Sequence, residues 1–296
     1  MTDGSAPGPT DDADRDRRLL GLLRSTDGSL LGSGGEARVL GLDDERVLRI
    51  LRLPTAVEVV RARAELLDEM RRGRPAVAIP EVLEIGEHDG RTYTVERRVA
   101  GRPVGEVLRT LDRRGRDRLI EGHLDAVAAL ADLPLAPRPW FGELLGSEPL
   151  RSTTWRAYLV ERAERSLRSS SLFDHVDAEA IVGDLPTGAE GCLVHLDAVV
   201  DNVLACRDQV TAVIDFGPTC ARGARWVDAV SAVVYLEAPE ITPDADQRDR
   251  AVARAWSRDR GLEQLIEPAE RWLTAMWSFA LEDPAVDRWC RRVLRG

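Results

Sequence analysis

Within the segment CLVHLDAVVDNVLACRDQVTAVIDFG, residues 192–217, His195, Asp197, Asn202 and Asp215 are the side chains whose types and spacing could do chemistry. Transfer of a phosphoryl group to a hydroxyl needs a carboxylate near the attacking oxygen and an oxygen-rich site for Mg²⁺ bridging the phosphates. Asp197 fits the first need, and Asn202 with Asp215 fits the second. The Arg207-Asp208 turn and the apolar run 211–214 would bring Asp215 back beside Asn202. A plain buried strand-loop-strand is the alternative, because Asp and Asn favour turns for their own reasons. Composition weighs between the two: Asn202 is the chain's only asparagine, kept where a neutral oxygen ligand is wanted.

This segment resembles the H-x-D-x-x-x-x-N catalytic loop and D-F-G metal motif shared by protein kinases and by aminoglycoside phosphotransferases, choline kinases and their relatives. The IDFG ending and the nearby Asp228 in GARWVDAVSAV resemble the small-molecule kinases more closely. Those proteins usually carry glycine after the histidine, where this chain has Leu196. The resemblance implies an α+β, two-lobed, protein-kinase-like fold and direct in-line transfer from ATP or GTP, with Mg²⁺, to an alcohol group. It also implies that His195 orients the catalytic loop by hydrogen bonding and that Asp228 holds that loop.

By the same resemblance Arg49, in VLRI, occupies the place of the family's phosphate-binding lysine, with Glu65 of the next helix as its partner and Glu58 and Glu69 as fallbacks. The chain has 41 basic residues, every one an arginine. Arginine keeps the charge of lysine but is bulkier and planar. Two outcomes stand: an active enzyme accommodated to arginine, or a nucleotide-binding pseudokinase. The segment 93–101, YTVERRVAG, resembles the connection between the lobes, where backbone groups near Glu96, Arg97 and Arg98 would bind the nucleobase.

Elements must position these residues. From Leu19 the sequence reads as strand, glycine turn, strand, short turn and strand: SLLGSGG, EARVLGL and RVLRILR. Gly32, Ser33, Gly34 and Gly35 lie between two of these strands, where glycine lets backbone N–H groups approach nucleotide phosphates. A glycine-rich hairpin without a ligand has the same look. A helix over 56–72 follows, then EVLEIGE and RTYTVERRV joined by Asp89-Gly90, a strong hairpin signal. Five antiparallel strands and one helix are thus expected over residues 18–100. Beyond it, 101–296 reads as helical at 104–113, 116–133, 153–168, 226–236, 244–260 and 269–281, interrupted by the strand-loop-strand island. Residues 1–17, rich in Gly, Pro and Asp, read as a disordered tail.

The formal net charge of −10 argues against a nucleic-acid partner and suits a cationic one. Asp228, together with Glu237 and Glu240 in YLEAPEITPDAD and Asp244 and Asp246 after them, is a candidate to bind a cationic acceptor such as an aminoglycoside or basic peptide antibiotic; a solvated acidic loop is the bland alternative. The other acceptors that fit are an amino alcohol, a sugar, a macrolide or another natural-product intermediate. No apolar run approaches a membrane span and the N-terminus lacks an apolar signal stretch, so a cytoplasmic protein is expected. Monomer and homodimer are equally compatible. The four cysteines have no CxxC spacing and read as reduced, with Cys192 and Cys206 as buried hydrophobes. His88, His123 and His175 have no partner spacing for a metal, and Trp272 and Trp277 read as core.

Overall fold

The computed structural model describes residues 9–295. They form two compact units, one reaching Leu67 and including Pro80–Val99, the other comprising Asp68–Ile79 and the chain from Ala100 onward. The first holds α1 (Pro9–Leu22), β1 (Leu30–Ser33), β2 (Ala37–Gly41), β3 (Arg46–Leu51), most of α2 (Val57–Arg71), β4 (Val82–His88) and β5 (Arg91–Arg97). The strands make one antiparallel sheet in the order β1-β2-β3-β5-β4. Asp89 and Gly90 both take positive φ, 49° and 73°, the backbone that a tight two-residue hairpin turn requires.

Alternation divides this sheet into two unlike faces. Leu40, Leu48, Ile50, Tyr93 and Val95 form an apolar face with Leu19 of α1. The other face carries a polar row, because Arg49 pairs with Thr94 and Val47 with Glu96 across β3 and β5. Helix α1 corrects the expected tail over residues 9–17. Leu19 is buried, Asp16 pairs with Arg38 at 2.8 Å, and Arg18 reaches Asp89 at 3.0 Å, so one helical face is tied to the sheet despite a loop-like composition. Residues 1–8 of that tail lie outside the described residues.

The second unit contains β6 (Arg102–Pro103), α3 (Val104–Leu108), α4 (Arg113–Ala128), β7 (Phe141–Glu143), β8 (Arg151–Ser152), α5 (Trp155–Leu167), α6 (Ala178–Gly183), β9 (Cys192–Val194), β10 (Val203–Cys206), β11 (Gln209–Val213), β12 (Ala221–Gly223), α7 (Trp226–Glu237), α8 (Gln247–Asp259), α9 (Ile266–Trp277) and α10 (Pro284–Leu294). Two small sheets run β11-β10-β6 and β8-β7-β12-β9. Every residue of α7 from Val227 to Leu236 is buried, the mark of a helix surrounded on all sides. Trp155, Tyr158, Trp272 and Trp289 fill the core against α7. Cys206 is exposed rather than buried, because β10 ends there and the chain turns outward at Arg207. Among the described residues no helix is long and apolar enough to cross a membrane.

Candidate active site

Strand β9 delivers His195, Leu196 and Asp197, and the hairpin β10–β11 sets Asn202 and Asp215 next to one another. Asn202 immediately precedes β10, and the Ile214 N–H donates to the Asn202 carbonyl at 2.9 Å, continuing the ladder past Val203 and Val213. The Asn202 Nδ2 donates to Asp197 twice, to its carbonyl at 2.8 Å and to Oδ2 at 3.0 Å. That engagement turns the amide so that Oδ1 is its remaining acceptor. Asp197, Asn202 and Asp215 are all partly buried.

His195 is fully buried, and its Nδ1 accepts from the Asp197 N–H at 3.2 Å. Its Nε2 therefore carries the hydrogen and donates to the Ile214 carbonyl at 3.0 Å. Burial pushes its pKa below the ordinary imidazole value, so the ring is neutral. One imidazole thus fastens the turn bearing Asp197 to the strand bearing Asp215, and the Phe216 ring lies 4.6 Å from it.

Leu196 has a left-handed backbone, φ 65°, and α7 satisfies both of its polar groups. Asp228 accepts from the His195 N–H at 2.7 Å and the Leu196 N–H at 2.9 Å. Tyr235, two turns along the same face of α7, donates to the Leu196 carbonyl at 2.5 Å. Trp277 of α9 in turn donates to the Tyr235 hydroxyl at 3.0 Å. Burial drives the Asp228 carboxyl up to about 6 against the two N–H donors that favour its anion. Asp228 is enclosed, so it lies behind the His195–Asp197 turn and not on a surface open to an acceptor.

Asn202 Oδ1 and the Asp215 carboxylate are hard oxygen donors of the kind Mg²⁺ takes, and Mg²⁺ draws its other ligands from water and phosphate. Among the described residues no three His, Cys, Asp or Glu side chains gather as a self-sufficient metal site. The donor set therefore fits an ion shared with a phosphorylated substrate.

In the first unit, Gly32 and Ser33 end β1, and Gly34 and Gly35 make the turn into β2. Arg52 pins this turn, donating to the Gly34 carbonyl at 2.7 Å and the Ser33 hydroxyl at 2.5 Å. A Cβ added at Gly32, Gly34 or Gly35 would meet nothing, and none of the three has a positive φ. Nothing in the fold of this unit demands glycine at these positions.

Arg49 is 8% exposed and pairs with Glu36 of that turn at 3.4 Å. The expected partner on α2, Glu65, is exposed, as is Glu58. Helical geometry explains the correction: Val60, Arg63, Leu67 and Met70 form the buried stripe of α2, and Glu65 falls outside it. Arg63 occupies that stripe instead and donates to Glu96 at 2.6 Å. Glu69 belongs to the second unit, where it receives the Ala136 N–H and lies 3.4 Å from Arg138.

At the predicted connection, the Arg97 N–H donates to the Glu81 carbonyl at 2.9 Å and the Arg98 N–H to the Glu45 carbonyl at 2.7 Å. Their side chains pair with Glu81 and Asp27. Those two N–H groups are thus committed within the protein, because β5 continues to Arg97.

The acidic cluster is likewise largely neutralised. Glu237 takes Arg254, Glu240 takes Arg292 at 2.8 Å, and Asp244 takes Arg109 at 2.6 Å. Asp246 caps α8 and meets Arg113 at 3.0 Å. Glu237 and Glu240 are therefore structural ion pairs here, unlike the open carboxylates expected of an acceptor site. Sequence reasoning missed Tyr235, although it sits two helical turns after Asp228, and Arg63, which lies off the face of Glu58, Glu65 and Glu69. It also missed Asp201, beside Asn202, whose carboxyl is raised by burial and felt by Arg109, Glu106 and Asp244.

The model of the phosphotransferase enzyme family matches residues 27–266. Hygromycin-B 4-O-kinase of Escherichia coli is 30% identical over 151 residues, 48% of this chain and 43% of that protein, so the match spans less than half of the relative's length. Among solved structures, the gentamicin complex of APH(2")-IIa superposes with a TM-score of 0.65 at 14% identity, covering 100% of this chain and 98% of the other. The GDP complex of aminoglycoside 2'-phosphotransferase-IIIa gives 0.64 at 15% identity, covering 98% and 97%. At these identities the two structures establish the α+β kinase-like fold.

Proposed function

The chain belongs to the phosphotransferase enzyme family, and from that premise we propose that it transfers a phosphoryl group from ATP or GTP to a hydroxyl of a small molecule. The observation that carries the reading is the double contact from Asn202 to Asp197, with Asp215 across the same hairpin. Asp197 orients the acceptor hydroxyl and takes its proton as the new P–O bond forms and the bond to the leaving phosphate oxygen breaks. Asn202 and Asp215 would hold Mg²⁺, which when bound would offset the phosphate charge. Arg49 supplies a fixed positive charge to the phosphates, and Gly32, Gly34 and Gly35 let the backbone come close to them. Glycines that the fold itself does not need support that last assignment.

For the acceptor, the net charge of −10 and the hygromycin-kinase relative support a cationic antibiotic, an aminoglycoside or basic peptide, and with it a role in resistance. Asp201 and Glu106 are the carboxylates we assign to it, in place of Glu237 and Glu240. The neutralised Glu237 and Glu240 favour a second reading, an uncharged or singly charged metabolic or biosynthetic acceptor.

Mg²⁺-dependent nucleotide turnover is the test. Asp197→Ala is expected to lower it roughly 10²- to 10⁴-fold, the usual worth of a positioned acid or base. Turnover unchanged in that variant would sink the mechanism. Nucleotide binding without turnover in the wild type would leave a pseudokinase. A panel of aminoglycosides and basic peptides set beside amino alcohols, sugars and macrolides then assigns the acceptor, and no transfer to any cationic compound removes the antibiotic reading.

A further inference from the structure

We propose that Arg63 is a positioning residue for nucleotide binding: it engages the Glu96 carboxylate on the polar face of the first unit's sheet and so keeps that carboxylate from competing with phosphates for the neighbouring Arg49. The inference rests on the reading of Arg49 as a phosphate ligand and names the device behind it. In this chain the ion pair tying α2 to the sheet has arginine on the helix and glutamate on strand β5.

The three charged groups are all enclosed, with Arg49 8%, Arg63 6% and Glu96 5% exposed. Glu96 Oε1 accepts from Arg63 at 2.6 Å and from the Thr94 hydroxyl at 2.8 Å. Thr94 faces Arg49 across the ladder, and Glu96 lies two residues along the same face, within diagonal reach of Arg49. Burial acts to raise the Glu96 carboxyl, yet the Arg63 and Arg49 charges more than offset it, so the group stays an anion below its ordinary value.

A buried carboxylate seeks the nearest guanidinium, since an unpaired charge in this setting is costly. With Arg63 in place that demand is met from the helix side. Without it, Arg49 is the other cation acting on Glu96, and the carboxylate draws that arginine toward itself in competition with phosphate. The arrangement explains why Glu65 is dispensable as a partner: the stripe position at Arg63 already supplies the contact between helix and sheet.

Titrating MgADP and MgGDP into the full chain by calorimetry tests this. Arg63→Met is expected to weaken nucleotide binding roughly tenfold or more, the scale of one charged hydrogen bond, while kcat at saturating nucleotide stays close to wild type. Arg63→Gln, which still donates to the carboxylate but has no charge, weakens binding in the same direction and serves if the Met variant does not fold. Arg63→Lys restores most of the affinity. Adding Glu96→Gln to either weak variant recovers binding, because the competing anion is gone; a purely structural role predicts a further loss instead. Binding within about twofold of wild type in folded Arg63→Met and Arg63→Gln, or no recovery in the double variants, overturns the proposal. A wild type that binds neither nucleotide overturns the functional reading itself, and this inference with it.

Discussion

Leu196 holds a left-handed backbone while burying its side chain to 1% exposure. The backbone costs about 1–2 kcal/mol relative to a right-handed one. Burying a leucine returns about 1.5–3 kcal/mol, and deleting it adds a cavity penalty. Burial wins, so Leu196→Gly is expected to lose about 1–3 kcal/mol in urea denaturation despite relieving the strain. A more stable glycine variant would show that strain dominates. The motif spacing made His195, Asp197, Asn202 and Asp215 legible in the sequence, and the absent glycine at 196 was visible too. Of its remedy the resemblance supplied Asp228 but not Tyr235, which lies on a helix far along the chain and meets Leu196 only through packing.

Helices α4 and α8 are joined by a carboxylate that neither helix could place alone. Asp249 is completely buried and receives Arg113 and Arg116 of α4, while also closing a reciprocal cap with Asp246. Removing it leaves Arg116 without its carboxylate while Arg113 keeps Asp117 and Asp246, so Asp249→Ala should cost about 3 kcal/mol, the low end for a broken buried pair. Asp244→Ala, which loses only the exposed Arg109, should cost under about 1 kcal/mol. Denaturation midpoints of the two variants check the contrast, and equal losses would refute it. Long helices with apolar periodicity were readable. Helix α6 spans only six residues, too few for a periodic signal, and α10 was missed although Asp283 and Pro284 form a recognisable start. Helix α1 was hidden by its composition, since its order comes from contacts with Arg38 and Asp89.

Across the whole molecule, two enclosed groups give stability opposite slopes between about pH 4 and 6.5. His123 is buried, with neither ring nitrogen bonded among the described residues, and burial lowers its pKa to about 4. Its folded pKa lies below the unfolded value near 6.5, so stability is lost as pH falls through that window, up to about 3 kcal/mol. Asp228, raised to about 6, behaves in reverse: the folded state binds its proton more readily, and stability of similar size is lost as pH rises from about 4 to 6. The two trends largely cancel. His123→Leu should therefore expose a stability that falls with rising pH, and Asp228→Asn one that rises. Chemical denaturation at several pH values in this window checks both signs, and parallel profiles for the two variants would refute the assignment. Neither slope was legible in the sequence, because a histidine or aspartate on an apolar helix does not announce whether it has partners.

The hairpin that carries Asn202 at one open end and Asp215 at the other also carries the exposed thiol Cys206 at its closed end. A spin label or fluorophore attached there would ride on the same two rungs that fix the spacing of the proposed metal ligands. It would report occupancy of that site from outside, without touching a residue that does the chemistry.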